Sequence, residues 1–282
     1  MIKNKIGIMS GRLSKPIDNH TQHFPFKTWE TEFEKAALCG FDTIEWVFDD
    51  PNYNPINKMD EIKKIEKLSQ ENNVEVNSMC ADYFIKNKIF DNLHDSIKKN
   101  LGILNSLIKN CSIVGIKILE IPLVDNSSLR NIKSENELVL NLQNILDVAE
   151  KNSITIALET DLEPKHFLNL INKFDNPYVM ANYDIGNSTS LEHHIGDELE
   201  ILSSKIVNIH VKDRIINGVT VPFGKGNVDF DFFFEKLNQI KYSGELIIQG
   251  AREDLNNNQI NPFDTCKKYL NFVKNHCEKY TL

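Results

Sequence analysis

No two cysteines in this chain are spaced as a C-x-x-C pair, no apolar run is long enough to span a bilayer, and basic residues are not in excess. Each absence removes a class of protein. Five cysteines (Cys39, Cys80, Cys111, Cys266, Cys277) are an odd number without metal-finger spacing, which reads as reduced thiols in a cytosolic protein. Cys80 falls near a strand end, where a reactive role competes with the commoner one of a buried bystander. Met1-Ile2-Lys3-Asn4-Lys5 leads straight into an apolar strand without the apolar stretch of a signal peptide, so the expected location is cytoplasmic and no membrane partner is expected. A net charge of −8 argues against a nucleic-acid surface, which needs a basic patch. Linker-like, low-complexity and closely repeated segments are also missing, so residues 1–282 are read as one domain. Apolar residues at 41% and charged residues at 26% describe an ordinary soluble globular chain.

What is present is alternation. In Val207-Asn208-Ile209-His210-Val211-Lys212 the apolar residues share one parity and Asn208, His210 and Lys212 share the other. An isolated run of this kind also fits a strand with one wet face. Seven further runs read as strands: Lys5–Met9, Phe41–Trp46, Val74–Met79, Val114–Ile121 (stopped by Pro122), Ser153–Leu158, Tyr178–Tyr183 and Glu245–Ile248. Helical periodicity separates them, over Thr28–Leu38 (with Gly40 as stop), Asn57–Glu71, Leu93–Lys109, Ser134–Lys151, Pro164–Lys173, Asp197–Ser203, Asp229–Leu237 and Pro262–Cys277. Ser134-Glu135-Asn136-Glu137 reads as a capping box. Eight strand-then-helix units imply parallel strands joined by right-handed crossovers, and so a single (β/α)8 TIM barrel. A doubly wound open sheet would show a Gly-rich phosphate turn after its first strand, and Gly7-Ile8-Met9-Ser10-Gly11 does not follow that spacing.

In such a barrel the chemistry gathers where strands end. The candidate ends carry Glu45, Glu159, Asp184 with Asn187, His210 with Lys212, and Gln249 with Arg252. Parity turns Glu159 inward, opposite Ile154, Ile156 and Leu158. Taken singly, Glu159 is explicable as a salt-bridged rim carboxylate, Asp184 as a turn former and His210 as a core histidine. Four such residues at four separate strand ends point instead to one mouth. Two carboxylates, an imidazole and an amide oxygen suit one divalent ion: Mn²⁺, Co²⁺, Mg²⁺ or Zn²⁺. Lys212, on the same face as His210, is the non-carboxylate candidate for proton transfer.

Several segments together resemble the xylose isomerase-like TIM-barrel superfamily, in its sugar-phosphate isomerase/epimerase branch. They are Ile6-Gly7-Ile8-Met9-Ser10-Gly11-Arg12-Leu13, Gly40-Phe41-Asp42-Thr43-Ile44-Glu45-Trp46, Glu159, Tyr183-Asp184-Ile185-Gly186-Asn187, His210-Val211-Lys212-Asp213 and Gly224-Lys225-Gly226-Asn227-Val228-Asp229-Phe230. The resemblance implies a metal held by Glu159, Asp184, His210 and Gln249, a small sugar or sugar phosphate as substrate, and a possible homo-oligomer. The chain departs from the family pattern twice: Gln249 stands where a Glu is usual, and Asn187 where a substrate-touching His is common.

The activity expected is a metal-dependent isomerisation or epimerisation through an enediolate, with Glu159 as base. Gln249 cannot accept a proton, which leaves a one-base isomerase on Glu159 or an epimerase with Lys212 as second carrier. The alternatives are a dehydratase of a keto-polyol on the same fold and a barrel that lost its chemistry with the last-strand Glu. A DNA-repair phosphodiesterase would need additional strand-end histidines. Arg12 and Arg252 are candidate clamps for an anionic substrate, with Glu45 and Asn187 as further substrate contacts. Gly224-Lys225-Gly226 is suited to wrapping an anion or to a plain turn, and Trp46 to sugar stacking or to packing.

Overall fold

Parallel pairing runs without a break around eight strands in the computed structural model, which describes residues 2–17, 20–255 and 259–282. The barrel strands are β1 (Ile6–Met9), β2 (Thr43–Val47), β3 (Ser78–Cys80), β4 (Ile118–Leu123), β5 (Thr155–Thr160), β6 (Val179–Asp184) and β7 (Ile206–Val211). A two-stranded hairpin follows, β8 (Asp213–Arg214) with β9 (Thr220–Val221), and β10 (Glu245–Ile248) pairs with both β7 and β1 to close the cylinder. The fold is therefore the α/β TIM barrel that the alternation of elements implies.

The helices are α1 (Trp29–Cys39), α2 (Met59–Asn72), α3 (Tyr83–Lys86), α4 (His94–Val114), α5 (Ile132–Lys151), α6 (Pro164–Asn172), α7 (Ile185–Ser190), α8 (Ile195–Leu202), α9 (Phe230–Gln239) and α10 (Pro262–Tyr280). α3 and α7 are short additions in the loops after β3 and β6; the other eight form the outer ring, which α10 closes by packing on α1. Outward-facing strand residues such as Ile44, Ile156, Leu158 and Ile209 are buried beneath this ring, each removing apolar surface from water for about 1.5–3 kcal/mol. Among the described residues, no helix is long and apolar enough to cross a membrane.

Three sequence expectations shift for identifiable reasons. The fourth strand is Ile118–Leu123, not Val114–Ile121, because α4 continues to Val114 and ends on Gly115 in a left-handed conformation. Pro122 lies inside that strand and does not stop it. β3 ends at Cys80 opposite Glu120, so Pro122, two residues on and facing the same side, forfeits no ladder bond. The helix expected to open at Ser134 begins at Ile132, with the Asn131 side chain accepting from the Ser134 N–H at 3.0 Å. The Glu137 side chain of the expected capping box instead accepts from the Asp91 N–H. Gly40 ends α1 as expected.

The inward face is polar. Glu45, Ser78, Glu120, Asn208 and His210 are all buried inside the cylinder. At its lower end Glu245 accepts from Asn77 Nδ2 at 2.6 Å through Oε1, while its buried Oε2 has no hydrogen-bond partner. Burial raises the Glu245 carboxyl from 4.5 to about 7. The folded chain thus keeps a proton that the unfolded chain releases near pH 4.5. The stabilisation is complete below that pH and is lost as pH rises through about 7, a change of up to about 3 kcal/mol. Glu245→Gln should match the wild type in stability near pH 4.5 and exceed it above pH 7, as chemical denaturation across that range will show.

Candidate metal and proton-transfer site

β5, β6 and β7 end side by side and deliver the centre of the site. A register shift between Ala181 and Asn182 brings Asp184 level with His210 in the β6–β7 ladder. Asn182 and Asp184 share one parity of β6 and both face inward. Glu159, Asp184 and His210 each present one donor atom, and the three atoms lie within 4.8 Å of one another. His210 Nδ1 is 3.4 Å from Glu159 Oε2 and 3.8 Å from Asp184 Oδ2. Its other nitrogen, Nε2, is 2.6 Å from Glu45 Oε1 and 3.1 Å from Glu120 Oε2. Asp184 Oδ1 accepts from the Asn187 N–H at 2.8 Å and so caps α7, leaving Oδ2 turned to the centre.

Glu159 is held from both sides, by Asn182 Nδ2 on Oε2 at 3.0 Å and by Asn187 Nδ2 on Oε1 at 2.5 Å. Burial pushes its carboxyl upward, but hydrogen bonding and charge from His210, with Lys212 nearby, outweigh that and hold it below the usual carboxylate range. Burial carries Glu120 the other way, well above that range, against the pull of His210. Burial also opposes charging His210, yet Glu120 and Glu45 overcome it and raise the imidazole well above its ordinary value. Lys212 Nζ stands 2.7 Å from Asp184 Oδ2 and donates to Gln249 Oε1 at 2.6 Å. Gln249 Nε2 donates in turn to Gln22 Oε1 at 2.9 Å. Two buried carboxylates and an imidazole facing one point match what a divalent ion takes, and Asp184 Oδ2 is a buried oxygen that accepts no aligned hydrogen bond.

Above this centre opens a cavity of about 840 Å³, bordered by Glu159, Asn187, Lys212 and Gln249 together with Cys80 and Glu120. The other residues expected to contact substrate are engaged by the protein itself. Glu45 does not face substrate: it is fully buried beneath His210, accepting from His210 and from Asn208 Nδ2. Asn187 borders the cavity, but its amide is locked between Glu159 and Arg214 Nη1, 2.7 Å away.

Neither expected anion clamp is free. Arg252 donates to the backbone carbonyls of Gly11, Ser14 and Thr21. Arg12 donates to Thr21 O and to Gln22 Oε1, and burial together with the neighbouring Arg252 lowers it to about 10, still charged at neutral pH. Both arginines fasten the loop after β1, where Gly11 has φ +89° and a Cβ would stand 2.6 Å from His23 O. Gly224-Lys225-Gly226 does wrap an anion, but the anion is the chain's own Asp213, whose Oδ2 accepts from the three N–H groups at 2.8–3.1 Å. Trp46 is buried against Phe24 and Trp29, a packing role.

Sequence reasoning missed Arg214, the arginine that does border the cavity, and the orienting pair Asn182 and Gln22. The run Lys212-Asp213-Arg214 carried a signal for Arg214, since the residue shares the parity of His210 and Lys212. Nothing local marked Gln22.

A model of the family described as xylose isomerase-like TIM barrel matches residues 33–274, and the chain belongs to that family. Among curated proteins it is similar to the L-ribulose-5-phosphate 3-epimerase UlaE of Shigella flexneri serotype 5b, 27% identical over 243 residues, covering 78% of this chain and 81% of that one. A putative L-ribulose-5-phosphate 3-epimerase, SgbU of Haemophilus influenzae, is 26% identical over 271 residues, covering 88% and 89%. Among solved structures an L-ribulose 3-epimerase superposes with a TM-score of 0.78 at 17% identity, covering 99% and 96%, which shows the shared fold.

Arg252→Ala should act on stability and not on recognition. It strips charged donors from three carbonyls, costing about 3 kcal/mol or more in chemical denaturation. Any change in KM should be equal for a ketose and its phosphate.

Proposed function

We propose that this chain is a metal-assisted epimerase of an unphosphorylated ketose, inverting the carbon next to the carbonyl through an enediolate. The observation that carries the reading is the convergence of Glu159 and Lys212 on one cavity floor around the Glu159–Asp184–His210 donor set. Glu159, Asp184 Oδ2 and His210 Nδ1 would hold a divalent ion, which when bound polarises the substrate's carbonyl and neighbouring hydroxyl oxygens. The relatives named above are all 3-epimerases, two of a pentulose phosphate and one of the free pentulose, and support the same class of reaction.

The residues divide the work as follows. Glu159 is ionised and fixed by Asn182 and Asn187, so it can take the proton of the C–H beside the carbonyl. The contacts that keep it ionised also make it a weaker base, so the reaction depends on acidifying that C–H through the carbonyl oxygen. Inversion requires a proton delivered to the opposite face, and Lys212 is the second carrier. Glu45, by holding Nε2, keeps His210 Nδ1 aimed at the centre. Arg214 holds the Asn187 amide that orients Glu159.

Charge argues for the unphosphorylated substrate. Seven carboxyl groups border the cavity (Asp49, Asp50, Asp82, Glu120, Asp125, Glu159, Asp161), against Lys86, Lys212 and Arg214. Lys212 is paired with Asp184, and Arg214 donates to Asn187 and to the Gly218 carbonyl. Among the cavity's Lys and Arg side chains only Lys86 remains uncommitted among the described residues, and even with Glu120 and Asp82 set aside, whose carboxyls burial raises, one exposed lysine does not offset the remaining carboxylates for a dianionic phosphate.

The test is a set of ketoses and their phosphates in D₂O with Mn²⁺. A free ketose should gain deuterium beside its carbonyl at least ten times faster than its phosphate, and Glu159→Gln should slow this by about 100-fold or more. Lys212→Met should keep exchange and lose inversion. Inversion that survives Lys212→Met would assign the second proton to another carrier, exchange without inversion in the wild type would leave a one-base isomerisation, and no exchange in any compound with Mn²⁺ bound would overturn the reading.

A further inference from the structure

The oxygen that Asp184 turns to the centre has a neighbour that the donor set alone does not explain. Lys212 Nζ stands 2.7 Å from Asp184 Oδ2, the same atom that a divalent ion would need. The ammonium is not there by chance of rotamer. Gln249 Oε1 accepts from it at 2.6 Å, and Gln249 is turned that way because its Nε2 donates to Gln22 Oε1 at 2.9 Å. Arg12 Nη2 donates to the same Gln22 oxygen at 3.1 Å, and the Gln22 amide nitrogen donates to Asp82 Oδ2. A chain of side chains thus runs from the loop after β1 to the floor of the site and presents an amide oxygen to Lys212. The Lys212 side chain is 12% exposed and that of Asp184 1%.

We propose that Lys212 is the resident cation of this site, and that a divalent ion binds only by displacing its ammonium from Asp184. The proposal rests on the metal reading of Glu159, Asp184 and His210. Two positive charges that share one buried carboxylate oxygen repel each other with little solvent to screen them. Glu159 and Asp184 supply two formal negative charges and Lys212 removes one. Gln249, being neutral, restores none, and its carbonyl already serves the ammonium. The displaced ammonium can move only into the cavity that Lys212 borders, which is where a proton carrier meets substrate. Ion loading and the availability of Lys212 for proton transfer are in this way one equilibrium.

The experiment measures Mn²⁺ affinity of the full chain, stripped with chelator and titrated while free Mn²⁺ is followed by electron paramagnetic resonance. Lys212→Met should bind one Mn²⁺ at least tenfold more tightly than the wild type. Lys212→Gln keeps a donor for Gln249 Oε1 without the charge, and it should show the same gain, which guards against a folding defect of the methionine variant. Asp184→Asn should abolish the gain in either background. Equal or weaker binding by both neutral variants overturns the inference and leaves the epimerase reading standing. Absence of Mn²⁺ binding in every form overturns the inference together with the metal part of that reading, whereas deuterium exchange tests the reaction separately.

Discussion

The site depends on how one buried imidazole is held. His210 has no solvent contact, so both its nitrogens must find partners inside the barrel. Glu45 takes Nε2 at 2.6 Å, and this fixes the ring so that Nδ1 looks upward to Glu159 and Asp184. Removing His210 would leave Glu45 buried without its closest partner, so His210→Ala is expected to destabilise the fold itself. A polar layer of this kind is costly in a barrel whose interior is normally filled with aliphatic side chains. The cost is reduced here because burial raises the Glu120 carboxyl well above the usual carboxylate range and so opposes a further full negative charge beside the ring.

The second constraint is the loop after β1. Arg12 and Arg252, which come from opposite ends of the chain, both reach Thr21 O, and Arg252 also holds Gly11 and Ser14. These are interior fasteners with charged heads, a use of arginine that relies on a fork of donors meeting several carbonyls at once. Their effect on the site is indirect. A fixed loop presents Gln22, Gln22 orients Gln249, and Gln249 holds Lys212. The hairpin on the other side is fixed by the same logic with reversed charge, since Asp213 is swallowed by the N–H groups of Gly224, Lys225 and Gly226, where a Cβ on Gly226 would meet Asp213 Oδ1 at 2.1 Å. Arg214 then holds Gly218 O from the hairpin turn and the Asn187 amide from α7.

These two loops make the cavity acidic in a specific way. Two of its three Lys and Arg side chains, Lys212 and Arg214, are tied to partners that belong to the protein, whereas seven carboxyl groups line it. On the proposed reading, recognition of substrate rests on hydroxyl and carbonyl hydrogen bonding at the floor and not on a long-range attraction for an anion.

The barrel, the order of its elements and the identity of Glu159, Asp184, His210 and Lys212 as strand-end residues were legible in the sequence. The reason is that period-2 and period-3.6 patterns are local, and a parallel barrel forces the ends of consecutive strands onto one rim. What a side chain touches across the barrel is not local. Glu45 and His210 are 165 residues apart, and Gln22 and Gln249 are 227 apart. No spacing along the chain says that Glu45 lies under His210 while Lys212 lies above it. The same limit explains the arginines. Position after a strand end suggested that Arg12 and Arg252 reach substrate, but carbonyls left unpaired by a tight loop claimed their donors first, since a buried carbonyl without a partner is costly. Arg214, on the hairpin, borders the cavity instead. The sequence determined which residues arrive at the mouth of the barrel; only the tertiary structure decided which of them face the cavity and which hold the others in place, because that choice is made by hydrogen bonds between segments far apart in the chain.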